Sequence, residues 1–286
     1  MCEVAVVTTG FFDGVHLGHR HVIQTVVSAA RERGEEAIVV TFWPHPRMVL
    51  QQDARELRLL TSLEEKKALL AACGIDRVEV LPFNRAFARL TAEEYLQLLR
   101  ERFGASLVVM GYDNRIGSDK RCAKDIDNVI VTDEVGNNSL SSTKIRQALE
   151  KGSVKEANFM LGYPYELYGV VVAGNRMGRT IGFPTANMQL YEPLKLVPGD
   201  GVYAVDVEVL GRQWRGMCNI GLKPTVGGKA RTIETHILDF DEDLYGLPIR
   251  LHFRERIRDE QKFPSLDVLR LQLEKDRDAV KQYIYG

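Results

Sequence analysis

Apolar residues in the first half of the chain come in short, nearly continuous runs separated by stretches of helical spacing. The runs at residues 4–9, 37–42, 77–81 and 106–110 are rich in Val, Ile and Leu and too short for helices, which predicts buried strands. After the first of them, VIQTVVSAARERG (residues 22–34) places its apolar residues three and four apart, as one face of a helix does. Two capping boxes, Ser62 with Glu65 and Thr91 with Glu94, mark further helix starts, and Gly74 and Gly104 stand where those helices stop. Strands alternating with helices predict a doubly wound α/β unit, Rossmann-like, with a parallel sheet covered on both faces. Ligands of such sheets bind beyond the carboxyl ends of the strands.

Past about residue 160 the period changes to two. LYGVVVA, VYAVDVEVL, RGMCNI, TIETHILDF and IRLHFRE are short alternating runs separated by Gly- and Pro-rich turns, which predicts a small antiparallel β-barrel. A last helix, from about Ser265 to Ile284, would pack through Leu266, Leu269, Leu273 and Val280. The predicted organisation is a nucleotide-binding domain at 1–150, a linker helix at 151–163 and the barrel domain at 164–286.

Composition adds limits rather than detail. A chain of 286 residues, 45 % hydrophobic and 27 % charged, is long enough for two ordinary domains. Its formal charge of −1, with no block of like charges, gives no electrostatic reason to expect nucleic acid or an anionic membrane as partner. Cys2, Cys73, Cys122 and Cys218 are scattered without metal-like spacing, and no apolar stretch reaches the ~20 residues that cross a bilayer. A cytoplasmic setting and small-molecule partners are expected.

Chemistry concentrates in three places. GFFDGVHLGH (residues 10–19) joins the first strand to the first helix, the corner at which free N–H groups and the helix dipole attract phosphate. Gly10 and Gly14 would permit a sharp turn and close approach of a ligand, and His16 and His19, three apart, would point to one side of the first helical turn. That spacing is not the i, i+4 of a helical zinc site, and no third ligand lies near. Two surface histidines would give the same short pattern. SSTKIRQALEKG (residues 141–152) offers Ser141, Ser142 and Thr143 as helix caps beside Lys144 and Arg146, a second turn suited either to phosphate or to ordinary capping. GNRMGRTIGFPTAN (residues 174–187) ends in Thr185 and Asn187, hard oxygen donors two apart that suit Mg²⁺ bridging phosphates and equally suit a turn followed by a cap.

Together with TFWPHP (Thr41 to Pro46), MGYD (Met110 to Asp113), NIGLKPT (Asn219 to Thr225) and ETHILDF (Glu234 to Phe240), these strings resemble, over nearly the whole chain, the bacterial bifunctional riboflavin kinase/FAD synthetases, whose first module is an HxGH nucleotidyltransferase. The resemblance implies two ATP-dependent, Mg²⁺-requiring steps, riboflavin to FMN on the barrel and FMN to FAD plus pyrophosphate on the first module. It implies His16 and His19 as transition-state donors, with Gly10, Asp13, Gly14, Ser142, Thr143, Arg146, Gly178 and Arg179 holding nucleotide phosphates. It further implies Pro44, His45 and Asp113 at the flavin, Thr185 and Asn187 at the metal, and Glu234 as the base for the ribityl hydroxyl. The chain departs from the family at Phe11, where Asn is usual, at Asn114 and Ile116, which replace two aromatics, and in the short stretch 117–140, which lacks a clear extra strand. Two alternatives stay open: a riboflavin kinase whose first module is inactive or differently specific, and a non-catalytic flavin-binding protein.

Overall fold

The computed structural model describes residues 4–50, 57–112, 114–126, 128–133, 140–174, 177–225 and 228–283. The chain divides into two compact units, residues 1–144 and 145–286.

The first unit alternates strand and helix: β1 (Ala5–Thr9), α1 (Leu17–Arg33), β2 (Glu36–Trp43), the short α2 (Pro46–Leu50), α3 (Leu63–Ala72), β3 (Arg77–Pro82), α4 (Ala92–Phe103) and β4 (Ala105–Met110). A hairpin of β5 (Arg115–Ile116) and β6 (Arg121–Cys122) precedes β7 (Val129–Val131). The sheet runs β3-β2-β1-β4-β7 with every pair parallel, so the strand order reverses at β1. That reversal is a topological switch point, where a crevice opens at the carboxyl edge. Both predicted capping boxes form, with reciprocal side-chain to backbone bonds at Ser62/Glu65 and Thr91/Glu94. The expectation that residues 117–140 hold no extra strand is corrected by β7, whose three residues extend the sheet beside β4. Three residues are too few to show a period.

Cores lie on both faces of the sheet. Val7, Ile38, Val40 and Leu81 pack with Tyr95, Leu99 and Phe103 of α4 on one side, while Val6, Val39 and Val109 pack with Ile23, Val26 and Ala30 of α1 on the other. Alternate residues of each strand therefore serve opposite cores, which is why the strands read as continuous apolar runs.

The second unit begins with α5, which spans Ser142–Glu150 and so starts in the first unit, and α6 (Val154–Leu161). Six strands follow, β8 (Glu166–Val172), β9 (Ala186–Leu190), β10 (Gly201–Val209), β11 (Arg212–Thr225), β12 (Gly228–Ile237) and β13 (Pro248–Arg258), with the one-turn α7 (Met177–Thr180) between β8 and β9 and α8 (Leu266–Tyr283) at the end. The strands close into an antiparallel barrel in the order β10-β11-β12-β9-β8-β13. Asn158 ties α6 to it, donating through Nδ2 to the Phe253 carbonyl at 2.8 Å and accepting the Tyr165 N–H at 2.7 Å. The packing side expected for α8 needs one correction: Leu273 and Val280 face the core, but Leu266 is 50 % exposed. The helix is held instead by Asp276, 1 % exposed, which takes a bidentate Arg258 at 2.8–3.0 Å.

Candidate active sites

From the end of β1 the chain turns through residues 10–16 into α1. The Gly10 N–H donates to the Val40 carbonyl at 3.1 Å, and then Phe12, Gly14 and Val15 take φ of 53°, 82° and 37°. Only glycine accepts that region freely. For Phe12 and the β-branched Val15 it costs about 1–3 kcal/mol each, and such strain persists where the surroundings over-determine it.

Here the surroundings are hydrogen bonds from distant segments. The buried Asp13 carboxylate accepts the Leu60 and Thr61 N–H groups at 3.0 and 3.1 Å and the Thr61 hydroxyl at 3.2 Å, and Thr61 Oγ1 in turn accepts the Gly14 N–H at 3.1 Å. The Phe11 carbonyl accepts Lys66 Nζ at 2.8 Å and the Thr41 hydroxyl at 3.2 Å. The Asp13 carbonyl accepts Ser142 Oγ at 3.0 Å and the Val15 carbonyl accepts Arg20 Nε at 3.2 Å. Segments from β2, α3 and the start of α5 thus fix one turn. Nothing in the sequence pattern announced Thr61 or Lys66 as part of it.

His16 caps α1, its Nδ1 accepting the His19 N–H at 3.4 Å. A neutral His16 then carries its proton on Nε2, as a donor. The two imidazoles stack with centroids 3.7 Å apart and planes at 17°, so the i, i+3 spacing does bring them together. Burial holds His19 well below the ordinary imidazole pKa, and His16 and Lys66 push it in the same direction. The positive end of α1 acts likewise. His19 is therefore held neutral, and the two stacked rings stand at a helix start, where an anion is received.

Beside the loop lies a cavity of about 470 Å³, a size that takes a drug-sized ligand. Thr9 and Gly10 belong to its wall, and four aromatic rings line it: Phe42 at the end of β2, Phe83 after β3, Phe87, and Tyr95 of α4. Their rings meet one another at centroid distances of 5.4–6.3 Å. Asn114 and Ile116 line the same cavity. Their departure from aromatic character is thus met by aromatic rings from other elements, a source that sequence analysis overlooked although Phe42 and Phe83 both sit at carboxyl ends of strands. Pro44 and His45 are not in this wall; the His45 ring meets the edge of Phe11 at 4.1 Å. Thr143 is exposed at the start of α5, and Arg146 is half-buried one turn on, in the second unit. Asp113 lies outside the described residues.

In the second unit the register of β9 against β12 places Asn187 directly opposite Glu234. Side chains so paired share a face, with Cβ atoms roughly 5 Å apart. Glu234 is half-buried and accepts the Thr232 hydroxyl at 3.1 Å. The loop after β8 presses against Asn187: a Cβ on Gly174 would fall 2.2 Å from the Asn187 amide nitrogen, so only glycine fits there. Gly178 is equally constrained, since a Cβ would fall 2.1 Å from the Phe183 carbonyl. Thr185 lies just before β9 and, with Arg179, lines a cavity of about 380 Å³ whose walls do not include Asn187 or Glu234. His236, two residues beyond Glu234, meets the Pro184 carbonyl through Nδ1 at 2.7 Å and so steadies the turn that presents Thr185. Among the described residues no group of three or more His, Cys, Asp or Glu could hold a metal ion. The donors at this site are hard neutral oxygens beside one carboxylate, a set suited to Mg²⁺ that draws its remaining ligands from water and phosphate.

Comparison with known proteins divides the chain in the same way. The FAD synthetase family matches residues 2–147 and the riboflavin kinase family matches residues 161–284. The bifunctional riboflavin kinase/FMN adenylyltransferases of Bacillus subtilis and Escherichia coli are each 38 % identical to this chain, covering 98 % of it and 92 % and 93 % of their own lengths. A solved Streptococcus pneumoniae structure described as a macrolide-efflux protein is 36 % identical, covers 98 % of this chain and 95 % of its own, and superposes with a TM-score of 0.93. Among the described residues no helix is long and apolar enough to cross a membrane.

Proposed function

The chain belongs to the bifunctional riboflavin kinase/FMN adenylyltransferase family, and on that premise we propose that each unit carries its own ATP site and that the two act in turn on one flavin. The enzyme phosphorylates riboflavin to FMN and adenylylates FMN to FAD. The single observation that carries the division of labour is the separation of two differently built sites, a strained loop with stacked histidines in residues 10–19 and a cross-strand Asn187–Glu234 pair in the barrel.

In the kinase step, Glu234 accepts the proton of the terminal ribityl hydroxyl as its oxygen attacks the γ-phosphorus of ATP and ADP departs. General-base help of this kind contributes about 10²–10⁴ in rate. Thr185 and Asn187 would hold Mg²⁺, which when bound neutralises phosphate charge. Arg179 steadies the nucleotide from the cavity wall, and Gly178 lets the loop fold close.

In the second step a phosphate oxygen of FMN attacks the α-phosphorus of ATP, and the bond to pyrophosphate breaks. His16 and His19 donate hydrogen bonds to the phosphate oxygens as charge develops, and removing one such donor typically costs 10²–10³. The glycines at 10 and 14 let the turn lie close to the nucleotide, while Ser142 and Thr143 hold phosphates from the start of α5. Asp13 serves the loop rather than the nucleotide, because its carboxylate is engaged with Leu60 and Thr61 and would repel phosphate. The aromatic cavity beside Gly10 receives the isoalloxazine ring, whose flat face matches Phe42, Phe83 and Phe87. Pro44, His45 and Asp113 border the flavin on this reading. The free thiols of Cys73, Cys122 and Cys218 suit a reducing, cytoplasmic setting.

Incubation of the purified chain with riboflavin, ATP and Mg²⁺, followed by chromatographic separation of the flavins, tests the reading. FMN should appear first and FAD after it with pyrophosphate. FMN alone would place the first unit outside the pathway, and no product at all would reject the assignment.

A further inference from the structure

Lys66 sits in the first turn of α3, on a segment that carries no motif. It is 1 % exposed, its Nζ lies 2.8 Å from the Phe11 carbonyl and 3.8 Å from the centre of the Phe11 ring, and its hydrogen-bond partner is therefore a carbonyl rather than a carboxylate. A buried ammonium so partnered is costly, since the carbonyl and the ring return only part of its lost hydration. What the position obtains from the charge is a fixed cation behind the strained loop, on the side away from solvent, with His19 close enough for its pKa to be lowered by it.

The geometry points to Lys66 as a positioning residue for adenylyl transfer: from behind the loop it anchors the Phe11 carbonyl and so holds the turn that aims the histidine pair. This inference rests on the assignment of His16 and His19 to that step. Being buried, Lys66 touches no substrate. It acts through the loop carbonyl and through its field at His19. The groups that face it are Asp13 from the loop and His19, stacked on His16, from α1; His45 meets the edge of Phe11, and Glu65 on its own helix is engaged with the Ser62 N–H. Burial lowers the Lys66 pKa to about 8 against an upward pull from Asp13. Below that pH the ammonium persists, and above it the anchor loses its charge.

Two measurements on the full-length chain test this, each reading FAD formation from supplied FMN against FMN formation from riboflavin. In Lys66→Met, FAD formation should fall about tenfold or more, as for loss of a preorganised electrostatic contact. The acidic limb of its pH profile should move to higher pH, and FMN formation should stay within twofold of the parent. The melting temperature should fall somewhat, because the Phe11 carbonyl and the facing Asp13 carboxylate each lose a partner, so the pH profile and not the melting temperature decides. A side chain that only braced the fold would leave the acidic limb in place, and that result, or FAD formation within twofold of the parent, overturns the proposal. If Lys66→Met fails to fold, the unmodified protein still decides. Its FAD-forming rate should fall as pH rises through about 8 while its FMN-forming rate does not, and an alkaline limb shared by both activities, or absent from both, overturns the role. Loss of FMN and FAD formation together in the parent would instead be a failure of the two-step assignment itself.

Discussion

The two units place their chemistry by opposite means. In the barrel, Asn187 and Glu234 meet because strand register sets them opposite each other. In the first unit, His16 and His19 stand on a turn with three left-handed residues, whose Asp13 carboxylate and carbonyls are held by Thr61, Lys66 and Ser142 from elsewhere in the chain. A site set by register follows from local sequence. A site set by a braced loop depends on residues far away in the chain, and its reactive groups can be tuned by the charges used for bracing.

That contrast can be broken most sharply at Glu234. Glu234→Gln should lower FMN formation by about 10²–10⁴ while FAD formation from supplied FMN continues; an FMN-forming rate within a few-fold of the parent removes the residue from the base role. His19→Ala should show the mirror image, with FAD formation down ~10² or more and FMN formation spared. Equal loss of both products in either variant would contradict two separate sites.

Stability separates the units too. Asp276→Asn leaves Arg258 with a damaged buried partner and should destabilise the barrel by roughly 3 kcal/mol. In thermal inactivation the kinase step should fail at lower temperature while the adenylyl step keeps its parent profile. A smaller effect is expected at the aromatic cavity. Phe83→Ala should raise the KM for FMN about tenfold, the worth of one aromatic pairing, and leave the KM for ATP near the parent value.

The smallest effect is the pH dependence of stability that His19 gives the first unit. The folded His19 pKa lies well below the ordinary value, so between the two the unfolded chain binds a proton that the folded chain does not. Stability contributed by neutral His19 is therefore fully present above the ordinary imidazole pKa of about 6.5 and is lost as pH falls below it. Denaturant titrations from pH 7 to 5 should show the first unit weakening, and His19→Gln should flatten that trend.

What could be read from sequence follows the same division. Strand–helix alternation, both capping boxes and the change to period two give the two architectures, because buried strands and capped helices leave local signals. The three-residue β7 leaves none, since it is defined by its partner strand, and the five residues of β9 (Ala186–Leu190) alternate apolar and polar over too short a span to stand out beside the Gly- and Pro-rich segment before them. Leu266 fits the apolar stripe of α8 yet remains exposed, while Leu273 and Val280 further along the helix pack into the barrel core. His16 and His19 were visible as a motif, whereas Lys66 and Thr61 belong to an ordinary amphipathic helix start and gain meaning only from the carbonyl and carboxylate they meet. Likewise no single string spells the aromatic cavity, whose rings come from β2, the segment after β3 and α4.

The most direct test of two sites acting in turn is to mix His19→Ala with Glu234→Gln in one solution of riboflavin, ATP and Mg²⁺. Neither variant alone should make FAD from riboflavin at an appreciable rate, and the mixture should make it, with FMN released by the first serving as substrate for the second. A mixture that yields no FAD while both proteins remain folded would contradict the account.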